Sequence, residues 1–241
     1  MEGKQFSKSK GWYIDADKAI KEFGSDNLRY YLTTLIPESS DSSYTWKGFE
    51  AKINGELANN IGNFINRSLS FFHKNWKEGI EGKHFESFFE SGGARALKGL
   101  IESYHEALDK IQIKKGLDLL MQIGQQANGY FSDRAPWAQI KEDEEAAKET
   151  IAHSAIYAFY LSALFEPYLP NLSSKIKAYF CEAGEEASKK YFQAAYLGDM
   201  DGVKEFFSKE KVALVKKPKG LVKKVDADRI KELEEELKAK A

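Results

Sequence analysis

Three sets of side chains could do chemistry in this sequence. The first is the opening stretch from Gly3 to Gly11, GKQFSKSKG, where Lys4, Lys8 and Lys10 flank Ser7 and Ser9. Ammonium groups on flexible stems, with hydroxyl and glycine-backbone donors beside them, can follow a polyphosphate as it moves. The order G-x-x-x-x-G-K-[ST] is absent, so this is no Walker loop. By composition alone the stretch reads as a terminal tail. The second set is Asn59, Asn63 and Arg67, spaced by four on one helical face. Asparagine can donate and accept toward a base edge, and arginine offers a planar fork for a base or a phosphate. For Asn59 the reading is ordinary polar surface. The third is Trp137, which follows Ala135-Pro136 at a helix start. A tryptophan there is either core packing or an exposed plate for a splayed base.

Other chemistries find no footing. His73, His84, His105 and His153 have no partner at ligand or triad spacing, and His153, on an apolar helix, is read as a satisfied core residue. Trp12, Trp46 and Trp76 are assigned to packing, and Asn128 and Tyr130 to support. One cysteine, Cys181, excludes an internal disulfide and fits a reducing, cytoplasmic setting. A net charge of −1 gives no global field toward nucleic acid, so any anionic partner must be held by local clusters. The longest apolar run, about Ala155 to Phe165, is too short to span a bilayer.

The elements that must position these groups are helical. Asp15 can cap a short helix ended by Gly24, and Ser25 or Asp26 can cap the next, which Pro37 stops. Glu38 to Tyr44 reads as turn, with room for a short strand. From a Thr45 cap, Phe49, Ile53, Leu57, Ile61, Ile65 and Leu69 recur every four residues. Residues 79–93 read as a loop. Further helices are expected around Leu97–Leu108, Leu117–Phe131, Asp143–Phe165, Asn171–Phe180 and Glu185–Ala195. No segment argues for a buried sheet, and antiparallel packing is the natural solution. Lys204 to Lys224 is a lysine-rich tail. A last helix from Asp226 or Asp228 carries Ile230, Leu233 and Leu237 on one face; it reads either as a solvated charged helix or, the reading favoured by the apolar residues among the lysines of GLVKKVD, as a strap onto a neighbouring domain.

The order of residues narrows the reading. Phe6-Ser7-Lys8-Ser9-Lys10-Gly11 resembles the KMSKS loop of class I aminoacyl-tRNA synthetases. GSDNLRYYL (24–32), INGELANNIGNFINR (53–67), RAPW (134–137), LFEPYLPNLSSKI (164–176) and LVKKVD (221–226) together resemble the methionyl-tRNA synthetase family, in order and over nearly the whole chain. The resemblance implies that Lys8, with Ser7 and Ser9, meets the ATP phosphates during adenylate formation. Gln5 stands where the motif has its first lysine and carries no charge. It implies that Asn63 and Arg67 read a CAU anticodon, that Trp137 after Pro136 stacks on its first base, and that Lys74 approaches the same loop.

The expected architecture is an all-α antiparallel helical bundle preceded by a small connecting module. Residues 1–46 would hold the KMSKS loop and stem-contact module, 47–200 the anticodon-binding bundle, and 201–241 a basic linker and helix. The expected partners are tRNA(Met) and a Rossmann catalytic domain of the same polypeptide, with no DNA and no membrane. ATP with Mg belongs to the full enzyme, and no cofactor is expected in this piece. No HIGH-type segment or parallel sheet is present, so the chain reads as one edge of a methionine–tRNA ligase, inactive alone. The alternatives are the anticodon bundle of another class I synthetase, such as the cysteine or valine enzyme, and a non-catalytic helical module that scaffolds or binds RNA without anticodon preference.

Overall fold

A strict four-residue apolar spacing cannot stay on one side of a straight α-helix. Each step of four overshoots a full turn by about 40°. The computed structural model, which describes residues 2, 3, 5, 7, 9, 11–38, 42–182 and 185–239, shows how that drift is absorbed. Thr45 caps α3 (Trp46–Ala51), its hydroxyl accepting from the Gly48 N–H at 3.0 Å. The helix then widens into a π segment (Lys52–Gly62) and passes without a break into α4 (Asn63–Asn75). With i→i+5 bonding a turn holds roughly 4.4 residues, so a step of four undershoots by about 33°. The two drifts nearly cancel. Phe49, Ile53, Leu57, Ile61, Ile65 and Leu69 are therefore all buried, none more than 1% exposed.

On the N-terminal end of this long helix pack α1 (Ala16–Phe23), capped by Asp15, and α2 (Ser25–Thr34). The expected Ser25 or Asp26 cap on α2 does not form. Asp26 instead accepts from the Leu172 N–H at 2.7 Å and the Asn171 side chain at 3.0 Å, so it caps a later helix and welds α2 to it. Arg29 adds bonds to the carbonyls of Tyr168 (2.6 Å) and Pro167 (2.7 Å). The described part of 38–44 contains no strand.

The chain continues through β1 (Ile80–Glu81), α5 (Lys83–Glu90), α6 (Gly92–Asp109), α7 (Ile113–Arg134), α8 (Pro136–Glu142), α9 (Glu144–Leu164), α10 (Pro170–Phe180), α11 (Glu186–Leu197), α12 (Met200–Phe207), β2 (Lys211–Val212) and α13 (Ala227–Lys238). α9 is buried around its whole circumference from Thr150 to Leu164, and α4, α5, α7, α8, α10 and α11 pack around it. A helix apolar on every side belongs at the centre of a bundle. The result is the expected all-α architecture.

Two further stretches depart from expectation. Residues 79–93 are not a loop. They hold β1 and α5, whose Phe85 and Phe88, each 1% exposed, enter the core. The lysine-rich tail begins with an ordered helix, α12, which sends Phe206 and Phe207 against Phe159. Among the described residues no helix is long and apolar enough to cross a membrane.

After α12 the chain runs back along the long helix in the opposite direction. Val212 pairs with Ile80, just beyond the end of α4. Val222 lies over Gly62, where a Cβ would meet its methyl at 3.3 Å. Asn54 clamps Val225 twice, donating to its carbonyl at 2.9 Å and accepting its N–H at 2.8 Å. α13 then packs on α3. The return segment thus spans the helix from one end to the other, on the order of 40 Å.

Candidate nucleic-acid interface

α7 ends at Arg134, and Ala135 takes a left-handed conformation (φ 47°, ψ 62°) before Pro136 opens α8. For a residue with a Cβ that geometry costs about 1 kcal/mol. It is held by α8 itself, whose first amides, at Ala138 and Gln139, bond to the Ala135 carbonyl at 2.8 and 3.1 Å. Proline supplies the fixed φ of a first helical residue. Pro136 is buried, so its part is to set the corner, while Trp137 emerges from it 43% exposed. A large apolar ring left that open is unusual for a residue so close to the core.

The ring does not stand alone. It leans edge-on against Phe131, with centroids 5.7 Å apart, and Phe131 is itself buried against Phe64 of α4. The guanidinium of Arg67 lies 5.1 Å from the Phe131 ring centre and 5.3 Å from that of Trp137. Contacts of that kind are worth about 0.5–1 kcal/mol at exposed sites and fix the plane of the fork. Asn63 is exposed one turn before Arg67, and Lys74 is exposed two turns after it on the same face. Asn63, Arg67, Trp137 and Lys74 are thus brought to one side of the bundle, carried by α4 and α8. Phe131, the platform that joins Arg67 to Trp137, was legible only as part of an apolar stripe.

Beside this face lies a polar cleft of about 600 Å³ between the π segment and α7, lined by Asn59, Asn60, Gln125, Asn128 and Ser132 among others. The side-chain carbonyl oxygens of Asn60 and Asn128 are buried there without a partner. Asn59 is exposed at its rim.

The opening loop is partly described. Ser7 and Trp12 exchange backbone bonds of 3.0 and 2.9 Å as an antiparallel bridge, and Ser7 Oγ lies 3.3 Å from Ser9 Oγ. Lys8 lies outside the described residues, as do Lys4 and Lys10. Trp12, Trp46 and Trp76 are buried, at 6%, 5% and 8% exposed.

His153 is a satisfied core residue, as its apolar helix implied. Its Nε2 lies 2.9 Å from Ser87 Oγ and its Nδ1 3.0 Å from the Tyr130 hydroxyl. Glu149 approaches the same Nε2 at 3.7 Å and accepts from Ser87 at 2.8 Å. A hydrolytic triad needs its carboxylate on the opposite ring nitrogen from the serine, so this cluster is not one. Among the described residues no three His, Cys, Asp or Glu side chains gather into a metal-binding cluster.

Burial pushes the His153 pKa down from 6.5 to about 4. The folded chain therefore refuses a proton that the unfolded chain accepts. This contributes stability that is full above pH 6.5 and is lost as the pH falls from there toward about 4. The size is on the order of 3 kcal/mol. Urea midpoints across that window are expected to fall steeply for the wild type. The slope should be shallower for His153→Gln, which can keep one hydrogen bond and does not titrate.

Against known proteins, two family models match. One, described as tRNA synthetases class I (M), covers residues 1–69, and the other, the anticodon binding domain of methionyl tRNA ligase, covers residues 89–240. The methionine–tRNA ligase of Methanosphaera stadtmanae is 33% identical over 99% of this chain and 36% of its own length. That of Pyrococcus abyssi is 33% identical over 95% of this chain and 30% of its own. The chain thus spans about a third of the length of these relatives. Among solved structures, Mycobacterium tuberculosis methionyl-tRNA synthetase in complex with methionyl-adenylate superposes with a TM-score of 0.74 at 25% identity, over 92% of this chain and 42% of that one.

Proposed function

The chain belongs to the family of anticodon-binding domains of methionyl-tRNA ligase, and we propose on that premise that it grips the CAU anticodon of tRNA(Met) as part of a methionine–tRNA ligase. The observation that carries the reading is the half-open Trp137 ring standing beside the Arg67 fork. Trp137 stacks the first anticodon base. Arg67 and Asn63 hydrogen-bond to edges of the unpaired bases, which only splayed nucleotides expose. Lys74 meets backbone phosphate of the same loop. Pro136 and Ala135 hold the corner that presents the indole.

In the complete ligase the loop around Ser7, Lys8 and Ser9 meets the phosphates of ATP, which arrives with its magnesium ion as substrate. Charge builds on the departing pyrophosphate as methionine attacks, so a cation and hydroxyl donors help most in the transition state. ATP–pyrophosphate exchange belongs to that longer polypeptide. The 241-residue chain alone is expected to give none.

Binding of isolated anticodon stem-loops tests the reading. CAU should bind at least about ten-fold more tightly than the same stem carrying an unrelated triplet, the spread expected from one or two lost base contacts. Equal affinities with a steep salt slope would instead mark a general RNA binder acting through the lysines of the return segment.

A further inference from the structure

We propose that the terminal helix α13 positions the phosphate loop, through Leu237 seated against Trp12, which makes it a positioning element for the ATP half of the reaction. The proposal rests on the phosphate role assigned to that loop. Ile230, one face of α13, joins the main core at 1% exposed. Leu237, two turns on, does not. It forms a separate small cluster with Trp12, at 4% and 6% exposed, with Ile14 packed against the pair. Trp12 is also the residue whose backbone closes onto Ser7. A bridge of two hydrogen bonds outside any longer strand is weak by itself. Leu237 covers Trp12, one of its two ends, and burial of that contact helps hold the register.

A second contact fixes where α13 lies. The Arg229 fork reaches Glu22 of α1 at 2.5 and 3.2 Å, while its other nitrogen bonds Glu232 and Glu236 of its own helix at 2.9 and 3.0 Å. α13 is thereby pinned to the helix that follows the loop in sequence. The return segment before it is clamped by Asn54 and begins beside the end of α4. α13 thus carries a fixed position to the base of the loop.

Hydrogen–deuterium exchange on the 241-residue chain tests the contact. In Leu237→Asp, the amides of Ser7 and Trp12, which close the bridge, are expected to exchange about 10-fold faster, with those of α7 and α9 unchanged. Arg229→Gln should act in the same direction, and Leu237→Met should restore protection. The affinity for a CAU stem-loop should stay within about two-fold, because α13 is remote from Trp137. In the complete ligase, Leu237→Asp should lower kcat of ATP–pyrophosphate exchange about 10-fold with the KM for methionine unchanged. Loosened α13 amides with Ser7 and Trp12 still protected, or an unchanged kcat, would overturn the proposal. A ligase carrying Lys8→Ala, which removes the cation assigned to the phosphates, separates the two readings. If its exchange is intact, the phosphate role of the loop fails. If its exchange is lost while Leu237→Asp is silent, only the positioning role fails.

Discussion

Replacing Trp137 with alanine is expected to weaken binding of a CAU stem-loop by about 1–3 kcal/mol, roughly 5- to 150-fold, while leaving the melting temperature nearly unchanged. The two halves of this expectation come from the same geometry. The ring is 43% exposed, which leaves indole surface for a base to cover. Among its contacts are the edge of Phe131 and the Arg67 guanidinium lying over the indole, at the rim of the core rather than inside it. A core tryptophan behaves in the opposite way. Trp46→Ala, at 5% exposure and ringed by Phe23, Tyr44 and Phe49, should cost about 3–5 kcal/mol of stability. Isothermal titration with the stem-loop, paired with thermal melts of the free chain, separates binding from folding. A Trp137→Ala chain that binds as well as wild type would remove the stacking role.

Arg67→Ala is expected to cost about 1.5–3 kcal/mol of the same affinity, the range for a hydrogen bond to a charged group. Arg67→Lys should recover little of it. Lysine keeps the charge but lacks the planar fork that here lies against two rings. The salt dependence tells which atoms the fork meets. If it reads base edges, Arg67→Ala lowers affinity without changing the slope of log K against log salt. If it meets a phosphate, the slope falls by about one. Lys74→Ala should reduce that slope and spare specificity. Arg67 and Trp137 touch, so their losses should not add. A double-mutant cycle is expected to show a coupling of about 0.5 kcal/mol or more. Additive losses would mean that the ring and the fork work independently.

Much of this arrangement was legible from residue order. The every-four stripe from Phe49 to Leu69 announced a long helix, and only a widened segment could keep it straight. Asn63 and Arg67 lie one turn apart on that helix, so their shared face followed from spacing alone. That Trp137 would lie beside them did not. Its partner Phe131 is on another helix, and the corner at Ala135 depends on an alanine taking a left-handed turn that composition does not predict. α5 was hidden because Gly79, Gly82, Gly92 and Gly93 bracket it, and glycine clusters read as loop. Gly82 is there for another reason. A Cβ on it would meet the Lys209 carbonyl oxygen at 2.4 Å, so it makes room for the returning chain. Asp26 looked like a local cap because caps are read from neighbours in sequence, whereas its partners, Asn171 and Leu172, are more than a hundred residues away. The meeting of Leu237 with Trp12 joins the two ends of the chain, which no periodicity can reveal.

The central claim is that a bare indole and a guanidinium–amide pair close on unpaired bases. Fluorine NMR of the chain labelled with fluorotryptophan tests it most directly, with the Trp137 signal assigned by its loss in Trp137→Phe. On titration with a CAU stem-loop, the Trp137 resonance should shift strongly and saturate with the binding curve. Those of Trp12, Trp46 and Trp76, all buried, should stay in place. A stem-loop with an unrelated triplet should leave all four unmoved at the same concentration. A Trp137 signal that ignores CAU while binding proceeds, or that moves equally for every triplet, would contradict the account.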